Sequence, residues 1–413
     1  MPLKGANLGN AKSLNRRVAF ESIFRHGPIS RNEVAERTQL TPQTVSNIVS
    51  ELMPYGLIIE KSLHTGKKGK PAREYSIDRE GALIVGLHID QHRIIGRLAN
   101  VVGESLSEFR IELENQDPDY AEAQAENVIN ALFESRPDLR KRLLGVGVAM
   151  PGVFKNGVFV SGNSLTMKNW KGYPLSDSLS KRTGLPVFVE NDATTAAIGE
   201  GLFGAAKNIQ SFIYFYFGLG LGGGLMINGA HYSGAHNRSA EIGHIIVEPG
   251  GRQCPCGNKG CLERYVSLFS AYQAIKQTDI EYSSVSEQEV LDAFIAKDRH
   301  LMAWKDNAVQ HLCTAINILQ NVFDPEKVFL GGLLPDPLLK DLVREAQERL
   351  AETRSSIREP NGFELEFVSG DITLGAAALP LSTLLNPSTT QHNGLGYVRP
   401  TERESLYNLL TQY

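Results

Sequence analysis

Long apolar runs are missing from this sequence. Even the long uncharged stretch from Ser211 to His231 carries six glycines, and "FYFGLGLGGGLMING" within it reads as two strands around a turn. A membrane helix is therefore not expected. The N-terminal "MPLKGANLGNAKSLNRR" lacks an apolar core segment, so no targeting signal is expected either. Cysteine is scarce, with four in 413 residues and three of them clustered. That pattern excludes a secreted disulfide scaffold and fits metal binding in a cytoplasmic protein. No tandem repeat of short period is present.

What is there is a soluble, core-forming chain. Its apolar fraction of 42% and charged fraction of 21% suit two or three globular domains. The net charge of −4 is unevenly spread. Residues 1–78 hold 12 Lys and Arg against 7 Asp and Glu, whereas the remainder holds 30 against 39. A basic head on an acidic body points to a polyanionic partner for the head alone.

The head has a legible order. Apolar residues at Leu14, Val18, Ile23 and Phe24 have helical spacing, and "GPIS" ends that helix. Ser30 with Glu33 forms a capping box for a short second helix over Arg31 to Thr38. Thr41 then caps a third helix with Pro42 at its first position and Val45, Ile48, Val49 and Leu52 on one face. "LIIEKSLHTGKKGKPAREYSI" follows as two strands around a basic, glycine-rich tip. This order predicts a winged helix-turn-helix over residues 1–80, with a small helical bundle and a solvated hairpin as the alternative. Gln43, Thr44 and Asn47 point away from the apolar face and are candidates for base edges. Lys67, Lys68, Lys70 and Arg73 are candidates for backbone phosphates.

From Gly81 onward short apolar strands such as "ALIVGLHI", "LLGVGVAMPG", "LPVFVEND" and "KVFLGGLL" alternate with helical stretches, which predicts an α/β body of two lobes around a cleft. "YFGLGLGGGLMINGAHYSGAHNRSAEIGH" followed by "CPCGNKGCLE" resembles the signature of the ROK family (repressors, open reading frames and sugar kinases). "VAMPG", "VENDATTAAIGE" and "FLGGLL" stand in the matching order, and the resemblance spans about Gly81 to Asn386. With the head in front, the chain resembles the repressor members, the sugar regulators of N-acetylglucosamine, glucose or xylose type. The resemblance implies an actin-like, hexokinase-type fold with a small lobe at 81–190, a large lobe at 191–385, and a segment at 386–413 packing back on the small lobe and head. A short helix is expected over Thr401 to Leu410.

His244, Cys254, Cys256 and Cys261, set as His-x9-Cys-x-Cys-x4-Cys, are four ligands of zinc-preferring type. A filled set of four leaves no position for an activated water, so a structural zinc is expected, with unligated thiols as the alternative. Cys313 lies in an apolar helix and reads as core. The resemblance implies that Asn191, Asp192, Glu241 and Glu263 contact a sugar ring, with His244 between zinc and sugar. Without the motif, Glu241 and Glu263 would read as solvated charges.

Asp192 matches the general base of the sugar kinases, but phosphoryl transfer also needs a phosphate cradle. Where the kinases read Asp-Ile-Gly-Gly-Thr, this chain has His88 for the aspartate, Asp90 and Gln91 for the glycines, and His92 for the threonine. Leu219 replaces a hydroxyl residue in the second glycine loop, while Gly331 and Gly332 keep the adenosine-side pair. The expectation is a sugar-responsive transcriptional regulator, a repressor, and not an enzyme. Operator DNA, a sugar or sugar-phosphate effector and a homodimer or tetramer follow, a transport protein being the alternative effector. A sugar kinase with an accessory head is the competing class.

Overall fold

The structure, a computed structural model, describes residues 8–63, 72–162, 167, 169–281, 284–352, 364–385 and 396–397. The chain divides into two compact units, residues 1–190 with 376–413 and residues 191–375. Among the described residues no helix is long and apolar enough to cross a membrane.

The head opens the first unit with α1 (Leu8–His26), β1 (Ile29–Ser30), α2 (Arg31–Thr38), α3 (Pro42–Leu52), β2 (Ile58–Leu63) and β3 (Ala72–Ile77). Ser30 caps α2 in the expected reciprocal box with Glu33, and Gln39 ends the helix in the left-handed region. The Thr41 hydroxyl accepts the Thr44 N–H at 3.1 Å, and Pro42 occupies the first turn of α3. Val45, Ile48, Val49 and Leu52 are buried together with Ala19, Phe20, Ile23 and Val34. β2 and β3 pair antiparallel, and β1 adds a third strand through Ile29 and Tyr75 that the sequence pattern did not reveal. The hairpin tip, residues 64–71, with Lys67, Lys68 and Lys70, lies outside the described residues.

The body of this unit runs through β4 (Leu83–Ile89), β5 (Arg93–Asn100), β6 (Ser105–Glu112), α4 (Pro118–Leu132), β7 (Leu143–Met150), β8 (Val153–Lys155), β9 (Val158–Ser161), α5 (Leu175–Thr183) and β10 (Val187–Asn191). β4 is buried along its whole length, as a central strand covered on both faces must be. The sheet order is β6-β5-β4-β7-β10, and β6 is the exposed edge.

The second unit contains α6 (Asp192–Leu202), β11 (Phe212–Phe217), β12 (Leu221–Ile227), β13 (Ala230–His231), α7 (Glu263–Val266), α8 (Leu268–Lys276), α9 (Glu287–Ile295), α10 (Arg299–Phe323), β14 (Lys327–Gly332), α11 (Asp336–Glu352) and β15 (Glu364–Phe367). Its sheet order is β13-β12-β11-β14-β15, antiparallel through β11 and β12 and parallel through β14 and β15. The order third-second-first-fourth-fifth thus occurs once in each unit.

The chain re-enters the first unit along α12 (Ile372–Leu385), whose apolar residues from Ala376 onward are almost wholly buried. Pro380 inside the helix cannot donate to the Ala376 carbonyl, and Gly147 of β7 packs directly against that carbonyl. The C-terminal end of α12 is held from the head. Arg17 Nε of α1 donates to the Leu384 carbonyl at 3.0 Å, and its Nη2 donates to the Thr383 carbonyl. Finally β16 (Gly396–Tyr397) pairs antiparallel with β10. The tail helix expected over Thr401 to Leu410 lies outside the described residues.

Candidate functional site

The site in the second unit begins where β10 gives way to α6. Asn191 caps α6, and its side-chain oxygen accepts the Ala193 N–H at 2.9 Å. Asp192 Oδ1 accepts the same N–H at 2.8 Å. Burial pushes the Asp192 carboxyl up to about 6; the N–H donors oppose the shift and the Glu241 charge adds to it. A carboxyl tuned this way sits near neutrality as a proton acceptor or hydroxyl partner.

The glycine-rich hairpin positions the rest by close approach. β11 and β12 are its two strands, as expected. A Cβ at Gly222 would stand 2.6 Å from the Ala193 Cβ, so glycine there lets β12 lie directly on α6. Gly223 likewise makes room for the Ala240 carbonyl, and Ala240 itself has a φ of 57°. That left-handed residue sets the chain direction from which Glu241 projects.

His244 Nδ1 lies 3.7 Å from Cys254 Sγ, and Cys256 Sγ lies 3.6 Å from Cys261 Sγ. The four ligand atoms all fall within 4.8 Å of one another. A tetrahedral zinc with bonds near 2.3 Å sets neighbouring ligand atoms about 3.7 Å apart, so the set fits the ion. The loop is shaped for this by Gly257 and Gly260, with φ of 99° and 81°, and by the Cys254 N–H on the Asn258 carbonyl at 2.9 Å. Tyr265 braces the loop from behind: its hydroxyl accepts the Arg252 N–H at 2.8 Å and its ring lies 4.3 Å from that of His311. The sequence reading missed this brace; its only signal was an aromatic residue four positions after Cys261.

The Glu241 and Glu263 carboxylates both lie against His244, whose Nδ1 is 3.8 Å from Glu263 Oε1. His244 Nε2 faces Glu241 at 3.9 Å, while Glu263 Oε1 accepts from Cys254 Sγ at 2.9 Å. The other Glu263 oxygen faces Gly220 of the glycine loop, where a Cβ would stand 2.8 Å from it. Burial, with the Glu263 carboxylate beside it, pushes the Cys254 thiol well above its ordinary range. A thiol ligates only as thiolate, so metal binding would release that proton and the contact with Glu263 together. Cys313 packs on the core of this unit with its Sγ 3.7 Å from the Ala346 carbonyl.

In the first unit the β4–β5 turn has its own anion. Asp90 Oδ1 accepts the N–H groups of His92 and Arg93 at 2.7 and 2.9 Å, and Asp90 Oδ2 accepts from Arg93 Nε at 3.0 Å. Amides that would otherwise be free for a phosphate are engaged. His88 is buried in β4, and burial lowers it to about 4, so it is neutral. Gly331 packs against the Tyr214 hydroxyl, where no Cβ fits.

In the head, Gln43 and Asn47 are exposed on α3, with Gln43 Nε2 donating to Asn47 Oδ1 at 3.0 Å. Thr44 is half-buried and its hydroxyl lies 2.9 Å from that of Thr41. Arg73 is exposed but ion-paired with Glu60 across the hairpin at 3.1 Å.

These features define a class: a head of three helices and a β-hairpin in front of a body with the duplicated α/β topology of actin-like, hexokinase-type proteins. Within that class the chain belongs to the ROK family, which it matches over residues 84–379. It is 27% identical over 378 residues to the xylose repressor of Bacillus spizizenii, covering 91% of this chain and 95% of that protein. A solved ROK family transcriptional regulator, a homologue of the E. coli MLC protein, superposes with a TM-score of 0.75 at 25% identity, covering 93% and 99% of the two chains. A ROK family glucokinase from Streptomyces griseus, in complex with glucose and AMPPNP, gives 0.60 at 25% identity over 72% of this chain and 98% of its own.

Proposed function

We propose that the chain is a sugar-responsive transcriptional regulator, a repressor of genes for carbohydrate uptake or catabolism. The observation that carries this reading is the pairing, on one chain, of an exposed α3 face with a carboxylate site built around a His/Cys cluster. The repressor and transcriptional regulator named above resemble it over nearly their whole length.

In this reading Asn191, Asp192 and Glu241 take sugar hydroxyls, each offering a fixed acceptor direction. His244 holds zinc through Nδ1 and turns Nε2 toward the sugar side. Glu263 joins the sugar set once Cys254 is a zinc-bound thiolate. Cys254, Cys256, Cys261 and His244 would hold a structural zinc, which supplies loop geometry and no chemistry of reaction. Gln43, Thr44 and Asn47 read base edges, while Lys67, Lys68, Lys70 and Arg73 meet phosphates. The protein works in the cytoplasm as a homodimer or tetramer, because paired heads read paired half-sites. An effector acts only through its different affinity for the two states of the protein.

The same reading makes the protein no enzyme, since Asp90 occupies the turn amides and Leu219 brings no hydroxyl. The competing kinase reading draws on Asp192, whose carboxyl near 6 suits a general base. One experiment separates them: the purified chain is bound to DNA from upstream of its own gene and challenged with D-xylose, D-glucose, N-acetylglucosamine and the 6-phosphates of the last two. One carbohydrate is expected to change the affinity at least tenfold. Hexose-dependent ATP consumption abolished by Asp192→Asn would establish the kinase instead. DNA binding unmoved by every sugar would shift the effector to a transport protein.

A further inference from the structure

The exposed face of α3 is not made by α3 alone. Gln43 and Asn47 stand on it with Ser46 between them, and Ser46 Oγ donates to the Pro42 carbonyl at 3.0 Å. That bond commits the Ser46 hydrogen to the helix and leaves its oxygen as an acceptor. The oxygen accepts from a residue of the preceding helix: Nη1 of Arg31, the first residue of α2, donates to it at 3.2 Å.

We infer that Arg31 is a phosphate-anchoring residue of the DNA interface, contributed by α2 and held in place by Ser46. The inference deepens the DNA-binding reading above and rests on it.

Within the head, Arg16 and Lys12 share Glu51, Arg25 has Glu21, and Arg73 has Glu60. Among the described residues the Arg31 guanidinium has no carboxylate partner, only the neutral Ser46 hydroxyl. Arg37 and Lys61 also lack an ion pair among the described residues, but Arg31 is the one of the three that hydrogen-bonds to the α3 face. Its charge is therefore not neutralised within the protein, and it is exposed. One of five donors is used, and the remaining fork matches two phosphate oxygens.

The position suits that role. In a helix-turn-helix the first helix of the pair crosses the sugar-phosphate backbone while the N-terminal part of the second reads bases. Arg31 opens α2 beside residues 43–47 of α3, so a phosphate bound there fixes the register from which Gln43 and Asn47 meet the groove. Ser46, at the centre of the face, orients the guanidinium and is not itself a reader of bases.

The test uses the full chain and fluorescence anisotropy between 50 and 200 mM KCl. The probes are a duplex from upstream of its own gene and a scrambled duplex of equal length and composition. Arg31→Ala should weaken both alike, by about tenfold at 100 mM salt, and flatten the slope of log affinity against log salt by about 0.9. Arg31→Lys should keep that slope with part of the loss, and Ser46→Ala should lose less than Arg31→Ala with the slope unchanged. Unaltered melting temperatures would exclude a folding defect. Wild-type binding by Arg31→Ala would overturn the inference, as would a loss confined to the upstream duplex with an unchanged slope. If the wild-type chain binds neither duplex, the DNA-binding reading itself falls.

Discussion

His244 looks two ways: its Nδ1 lies 3.7 Å from Cys254 Sγ and its Nε2 lies 3.9 Å from the Glu241 carboxylate. A metal on the first nitrogen fixes the tautomer, leaving the second as an N–H donor toward Glu241. In such an assembly a metal held by the cluster would also orient the imidazole toward this carboxylate.

Metal content tests the assembly. The purified chain should carry about one zinc, measured by plasma mass spectrometry, and Cys261→Ser should lose most of it. Because binding free energy is folding free energy for such a loop, the same substitution should lower the melting temperature by about 5–10 °C. Equal zinc in both proteins would dismiss the cluster as a metal site.

Asp192 gives a pH signature with a definite sign. Its carboxyl is raised from 3.8 to about 6, so between those values the folded chain binds a proton that the unfolded chain has released. Stability from this group is complete below pH 4 and lost as pH rises through 6. Asp192→Asn removes the burdensome charge while keeping an oxygen for the Ala193 N–H. It should melt about 2–5 °C higher than wild type at pH 7.5, with the difference vanishing near pH 4. An equal or lower melting point at pH 7.5 would contradict the burial argument.

Arg17 offers a test of how the head is fastened. Arg17→Ala deletes the charged donors from the Leu384 and Thr383 carbonyls, with an expected cost of about 1–3 kcal/mol. Hydrogen exchange should quicken in the last turn of α12 and in α1 but not in β11 or β14. Uniform protection everywhere would show that the contact contributes nothing.

Asp90 separates shape from charge. Asp90→Asn keeps an oxygen for the His92 and Arg93 amides and should stay within about 0.5 kcal/mol of wild type. Asp90→Ala leaves the amides without that acceptor and should lose about 1 kcal/mol by denaturant titration. Matching curves for the two variants would deny the turn its dependence on the side chain.

Much of this was legible beforehand because the signals were local. Ser30 with Glu33, Thr41 with Pro42, and the buried face of α3 follow from capping chemistry and a 3.6-residue period, and each appears as expected. The gathering of His244, Cys254, Cys256 and Cys261 into one cluster was legible from their spacing. The doubled sheet order was not, since strand order is set by long-range pairing that no local pattern of residues states. Nor was the contact between Glu263 and Cys254, because spacing brought both into one loop without stating which carboxylate oxygen would meet sulfur. Nor did the sequence state what the glycines of β12 do, which is to permit tight packing on α6. Arg17 gave no sign at all, as its acceptors lie 367 residues away in the case of Leu384.

That separation has a consequence for biogenesis. At 5–20 residues per second, the ribosome needs about 20–70 s after making Arg17 before Leu384 exists. Throughout that interval the guanidinium has no carbonyls of α12 to hold, and the nascent head must wait in water for its anchor. Growth conditions that stall translation late in the message would lengthen the wait, and the first helix made would be the last one fastened.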